Sequence, residues 1–147
     1  MIGDMLKGEP NAVAEQTRSD PAVDLVTRFL RAMEDRDLPR AAAMTAADFV
    51  MIFPGGRHYR TLKDLVAASS GRYRSIAKTF ERFDAMSDGA NTVVYCFGTL
   101  NGEWPDGTRF AGIRYIDRFT VRDGKLQDQR VWNDMGEVLA HRSAADR

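Results

Sequence analysis

The sequence predicts an α+β domain, with helices packed on one face of a curved, mainly antiparallel sheet. An amphipathic stripe runs from residue 22 to residue 33, and the apolar period turns from helical to alternating at about Phe80. Beyond that point, turn-forming Gly and Asn residues recur between the alternating segments. Helices first and a meander after is the order of an α+β chain. At 147 residues there is room for one domain, large enough to bury a core without a disulfide or a structural metal.

Residues 1–18 hold Gly3, Gly8 and Pro10 with no sustained period, and are expected to form a loose arm. The domain is expected over residues 19–142, followed by a tail over 143–147. It opens at Asp20-Pro21, where a carboxylate caps free N–H groups and a proline suits the first helical position. Ala22, Leu25, Val26, Phe29, Leu30 and Met33 form the buried stripe of that helix. Leu38-Pro39 starts a shorter helix through the alanines to about Thr45. Residues 49–54 (FVMIFP) read as a buried strand closed by Pro54-Gly55-Gly56.

Thr61-Leu62-Lys63-Asp64 has the form of a capping box, with Asp in place of Glu or Gln. The stripe behind it, Leu62, Leu65, Val66, Ser69, Tyr73 and Ile76, predicts a helix that runs on through Gly71. From Phe80 the chain alternates, broken at residues 87–91, at Asn101-Gly102 and 105–107, and at Asp123-Gly124. A meander of about four strands is expected.

Lys plus Arg and Asp plus Glu both number 21, so the chain has no net charge. That argues against a phosphate-tracking surface, and no nucleic-acid partner is expected. No apolar run reaches the ~18 residues of a membrane span, and the first ten residues lack a secretory signal's apolar core. Cys96 is the only cysteine and reads as a small buried hydrophobe in a reducing compartment. A cytoplasmic location is expected.

Alternation sorts the faces of the later strands. Ile113, Tyr115, Asp117, Phe119 and Val121 share one face, on which Asp117 is the sole charge. On the preceding strand the matching face is expected to be Val93, Tyr95, Phe97 and Thr99. The last strand is open: either Gln127, Gln129, Val131 and Asn133 face inward, or Leu126, Asp128, Arg130 and Trp132 do. With the first set inward, Arg114, Arg118, Arg130 and Trp132 share an outer face, whose residue types suit a homodimer interface.

The opening helix VDLVTRFLRAMEDRDL, the segment AADFVMIFPGG and the closing IDRFTVRDGKL…RVWND carry a resemblance over residues 20–138. The chain resembles the NTF2-like, cone-shaped superfamily, and most closely its SnoaL-like and ketosteroid-isomerase-like branches. The resemblance implies helices on the concave face of the sheet and a pocket at the heart of the cone. It places Asp117 at the position of the isomerase acid that donates a hydrogen bond to the substrate oxyanion, a carboxyl kept neutral by an apolar site. Phe29 stands at the position of the isomerase's oxyanion tyrosine and Phe53 at that of its catalytic base. Neither can play that part, so steroid isomerisation by that route is not expected. The dehydratase and epoxide-hydrolase residue sets are not evident.

Asp117 is therefore the candidate central acid or hydrogen-bond donor, with a structural carboxylate paired with a tyrosine, backbone N–H groups or an arginine as the alternative. His58, after the Pro54-Gly55-Gly56 turn, is a candidate general base, although exposed loop histidines are common. Tyr95 and Tyr115 can orient a ligand through their hydroxyls, Gln129 and Asn133 through their amides, and Phe29, Phe53 and Phe97 can line the pocket. Trp104 reads as a lid or an interface anchor. Two separated histidines and one cysteine offer no zinc spacing, and neither metal nor cofactor is expected. The expected partner is a small, largely apolar molecule bearing a carbonyl or hydroxyl. Open between them are a lyase or isomerase, a non-catalytic binding module, and a structural dimer with a vestigial pocket.

Overall fold

A computed structural model describes residues 20–145; the arm expected over 1–18 lies outside the described residues. Helix α1 (Pro21–Glu34) starts where Asp20 accepts hydrogen bonds from the N–H groups of Ala22, at 2.9 Å, and Val23, at 3.4 Å. Its buried face includes Val26 and Phe29, neither with any exposed surface. Phe29 meets Phe49 and Phe119 edge-on, with centroids 5.8 and 5.9 Å apart. Burying a side chain of that size contributes about 2–3 kcal/mol from area alone.

Helix α2 (Leu38–Ala42) is shorter than expected, and strand β1 (Thr45–Phe53) begins where it was to end. Of the alanines 41–43 only Ala41 is buried, and beyond them the Met44 carbonyl accepts from the Leu126 N–H at 2.9 Å. β2 (Arg57–Tyr59), not foreseen in the sequence, folds back on β1 through Gly55 and Gly56, both at positive φ. Helix α3 (Leu62–Ser69) is capped by the Thr61 hydroxyl, which accepts from the Asp64 N–H at 3.1 Å. It does not run on to Ile76: Gly71 sits at φ 87°, outside the helical region, and β3 (Ser75–Asp88) takes up the rest of the stripe.

β4 (Asn91–Glu103), β5 (Arg109–Arg122) and β6 (Lys125–Asn133) complete a six-stranded mixed sheet in the order β2-β1-β6-β5-β4-β3. Every pairing is antiparallel except β1 with β6. Asn101-Gly102 does not break a strand. It lies within β4, where a side chain at Gly102 would strike the Ser75 carbonyl of β3. The reversal comes later, where Trp104 N–H bonds the Thr108 carbonyl at 2.8 Å. Trp104 itself is core, packed on Phe110 at 4.3 Å. Helix α4 (Met135–Ala145) has no counterpart among the expected elements, and occupies the described part of the expected tail. The Asn133 side-chain oxygen accepts from its first N–H at 3.0 Å.

Two face assignments follow from register. Asp117 pairs with Cys96 and Arg118 with Tyr95, so the core face of β4 is Val94, Cys96, Gly98 and Leu100. The expected set with Tyr95 and Phe97 is the opposite face. Bulk misleads here, because the core side needs small residues: a Cβ on Gly98 would come within 2.9 Å of the Tyr115 hydroxyl. On β6 a bulge settles the open choice. Thr120 pairs with Asp128 but Val121 with Leu126, which leaves Gln127 as the extra residue and turns Leu126, Gln129 and Val131 all inward.

Candidate functional site

The sheet's inner face and helices α1, α3 and α4 enclose a cavity of about 590 Å³. α1 contributes Phe29, Leu30 and Met33, α3 Leu65 and Val66, and α4 Met135 and Leu139. β5 contributes Tyr115 and β6 Gln129, Val131 and Asn133, while Phe53 and Tyr59 close one side, edge-on at 5.9 Å. Such a volume suits a drug-sized organic molecule.

The polar centre is an ion pair. Lys78 reaches from β3 into the cavity lining, and its ammonium donates to Asp117 Oδ2. Asp117 has no exposed surface and sits one layer behind the lining. Its other oxygen, Oδ1, has no hydrogen-bond partner among the described residues. The ammonium also lies 4.6 Å from the centre of the Tyr115 ring, in cation–π range. Lys78 is thus a cation held by a buried carboxylate and an aromatic face, with 17% of its side chain exposed.

The Lys78 backbone is held as firmly. β3 is an edge strand, so half of its peptide groups face away from the sheet. At Lys78 α1 takes both: Glu34 Oε1 accepts from its N–H at 2.7 Å, and Arg31 donates to its carbonyl at 3.1 Å. Arg31 also bonds both Glu34 oxygens at 2.9 Å, which closes the clamp.

Behind Lys78, the Tyr115 hydroxyl lies 3.3 Å from Cys96 Sγ. Burial pushes the Cys96 thiol up to about 11, with the Tyr115 hydrogen bond pulling the other way. Burial likewise raises Tyr115 above the ordinary phenol range. Both are neutral near pH 7, so Cys96 is not a thiolate nucleophile there.

Of the residues singled out in the sequence, Tyr115, Phe29, Phe53, Gln129 and Asn133 line this cavity. Asp117 backs it through Lys78. Tyr95 and Phe97 lie on the opposite face of the sheet, stacked on one another at 6.2 Å. His58 is exposed and its Nδ1–H donates to the Gly56 carbonyl at 2.8 Å; its neighbours Arg57 and Tyr59 line the cavity, and it does not. Among the described residues no cluster of three or more His, Cys, Asp or Glu is arranged to hold a metal ion. No described helix is long and apolar enough to cross a membrane.

Lys78 is the residue that sequence reasoning missed. Ile76, Lys78 and Phe80 alternate on one strand face, which is the signal that could have found it, but the helical stripe expected through Ile76 hides the start of the strand.

The chain is similar to several solved structures at identities that speak for the fold alone. TerC, crystallized with polyporic acid, is 20% identical, with 84% of this chain and 97% of TerC covered and a TM-score of 0.67. An NTF2-like protein of unknown function from Burkholderia pseudomallei is 17% identical over 82% of this chain and 96% of that one, TM-score 0.67. A LEH-like epoxide hydrolase from M. tuberculosis is 24% identical, covering 76% of each chain, TM-score 0.59. No functionally curated relative matches the chain. The model of the SnoaL-like domain matches residues 26–129, more than half of the sequence, and takes in α1 from Val26 on, Lys78 and Asp117. The chain belongs to the SnoaL-like domain family, within the NTF2-like superfamily.

Proposed function

We propose that this protein binds a small, largely apolar molecule bearing a carbonyl or hydroxyl oxygen, and acts on it as a lyase, isomerase or cyclase. The observation that carries this reading is the Lys78–Asp117 pair in the wall of an otherwise apolar cavity. An ammonium has three donors, and one is committed to Asp117. The remaining donors can meet a substrate oxygen, and negative charge that develops on that oxygen is stabilised by a cation already in place. Asp117 is then a positioning residue rather than the proton donor. Tyr115, Gln129 and Asn133 orient the ligand, and Phe29 and Phe53 shape its apolar bed.

Lys78→Met should lower turnover about 10²–10³-fold if Lys78 stabilises an oxyanion. Native mass spectrometry of the purified protein supplies the candidate compound. Unchanged turnover of that compound in the variant would remove the pair from the chemistry.

One observation favours a non-catalytic binding module. The only carboxylate among the described lining residues is Glu34, already engaged by Arg31 and the Lys78 N–H, so no side-chain base stands ready beside Lys78. That a protein of this fold has been crystallized with an organic acid, as TerC has with polyporic acid, agrees with either reading. Retention of a ligand that the wild-type protein leaves chemically unaltered would favour the module.

The same reading includes a cytoplasmic homodimer formed through the outer sheet face. There Phe97, Ile116 and Trp132 form a row across β4, β5 and β6, with Ile116 37% and Trp132 53% exposed. Light scattering should give the dimer mass for the wild type and the monomer mass for Trp132→Glu. A wild-type monomer at micromolar concentration would remove the dimer.

A further inference from the structure

Among the described residues the charges of the cavity lining do not balance: there are four cations, Arg36, Arg57, Arg72 and Lys78, against one carboxylate, Glu34, in a chain with no net charge. The Glu34 charge is answered by Arg31, and that of Lys78 by Asp117. Three guanidinium groups are left. Arg36 donates to the Met33 carbonyl at 2.7 Å, which meets one of its N–H groups and none of its charge. Arg57 and Arg72 have no side-chain hydrogen bond or ion pair among the described residues.

Their places in the fold put this charge at the rim. Arg36 lies in the turn after α1, Arg57 at the start of β2, and Arg72 in the turn between α3 and β3, all three exposed. Lys78 lies within β3 and is largely covered. Between rim and floor the walls are apolar and aromatic, among them Phe53, Tyr59, Leu65 and Tyr73. Guanidinium groups match carboxylate and phosphate through paired N–H donors.

We infer that the ligand of this cavity is an amphipathic organic anion. Its carboxylate or phosphate lies at the Arg36, Arg57 and Arg72 rim, and its apolar body extends inward toward Lys78. This rests on the cavity being the binding site, as proposed above, and adds a substrate class to it. The arginines select for charge; Lys78 meets a second oxygen.

The test uses two fluorescent probes with the same aryl body, the neutral N-phenyl-1-naphthylamine and its sulfonate, 8-anilinonaphthalene-1-sulfonate. The sulfonate should bind the intact protein at least about tenfold more tightly, the value of one charge-assisted contact, and weaken as salt rises. Arg57→Gln with Arg72→Gln should remove that advantage and leave the neutral probe unchanged. Equal binding of the two probes, or no response to the double variant, overturns the anion class while leaving the cavity intact as a binding site. Failure of both probes overturns the cavity reading as well. Val66→Trp, which fills part of the cavity, should abolish binding; sulfonate binding retained in it would place the probe on another surface and overturn the inference. Displacement by dodecanoate or by dodecyl phosphate identifies which oxyanion the rim prefers. Displacement by dodecanol equal to both overturns the inference.

Discussion

On β5, Asp117 and Arg118 are adjacent residues on opposite faces of one sheet. Asp117 has no exposed surface and is bound to a single cation, Lys78. Arg118 is a quarter exposed and spreads over weak partners: Asp128 at 4.0 Å, the Thr120 hydroxyl at 3.2 Å and the Tyr95 ring at 6.0 Å. The fully buried charge on the inner face thus has one fixed partner. The outer face holds many charges that are shared with solvent. Dielectric makes the difference: the same pair of charges interacts several times more strongly away from water, and an unpaired charge there costs correspondingly more.

The sharpest break of this contrast is Asp117→Ala. It leaves the Lys78 ammonium against buried surface with no counterion, and should destabilise the fold by about 3–5 kcal/mol. Lys78 keeps some access to the cavity, so the lower part of that range is expected. Lys78→Met with Asp117→Leu removes both charges, and should recover most of the loss. Urea unfolding of the two single variants and the double variant measures the coupling. A double variant as unstable as Asp117→Ala would mean that packing, rather than charge, holds this part of the core.

Cys96 sharpens the contrast through pH. Its thiol titrates near 9 in an unfolded chain and is pushed up to about 11 in the fold. The unfolded state therefore loses its proton first. Stability from this group is fully present below about pH 9 and is lost as pH rises toward about 11, by roughly 2–3 kcal/mol. Tyr115, raised by burial, adds a loss of the same sign starting near pH 10. In Cys96→Ala the slope of stability between pH 9 and 11 should be shallower than in the wild type, whatever its offset at pH 7. An equal slope would mean that the thiol is not held protonated. Alkylation of Cys96 in the native protein at pH 8 should be about a hundredfold slower than that of an unhindered thiol, from the thiolate fraction alone.

The inner face was half legible in the sequence, for physical reasons. Asp117 stands out because residues 113–121 alternate cleanly, and a lone charge on an apolar face has to be satisfied somehow. Its partner stayed hidden because Leu62 to Ile76 keeps helical spacing up to the strand, and the stop at Gly71 depends on a positive φ that spacing does not encode. β4 is apolar on both sides, so only its pairing with β5 decides that Cys96 faces in and Tyr95 out. The bulge at Gln127 is likewise a property of two strands, not one. Residues 36, 57 and 72, far apart in sequence, line one cavity only in the folded chain.

Arg82→Gln should have the smallest effect, and it tests the other side of the comparison. Arg82 pairs with Asp84 at 2.7 Å, a geometry as good as many buried pairs, but its side chain is 71% exposed. Both residues lie on the outer face, opposite Phe97 and Tyr95 in the β3–β4 register. Water already solvates each charge, and ordering two long side chains offsets much of the Coulomb gain, so the pair is worth about 0–1 kcal/mol. The variant should unfold within about 0.5 kcal/mol of the wild type in urea, and any difference should shrink as salt is raised through the range where the Debye length falls below about 8 Å. A loss comparable to that of Asp117→Ala would show that the outer face of β3 is itself covered, by a second copy of the chain or by its own termini. The charges there would then obey the same rule as those inside.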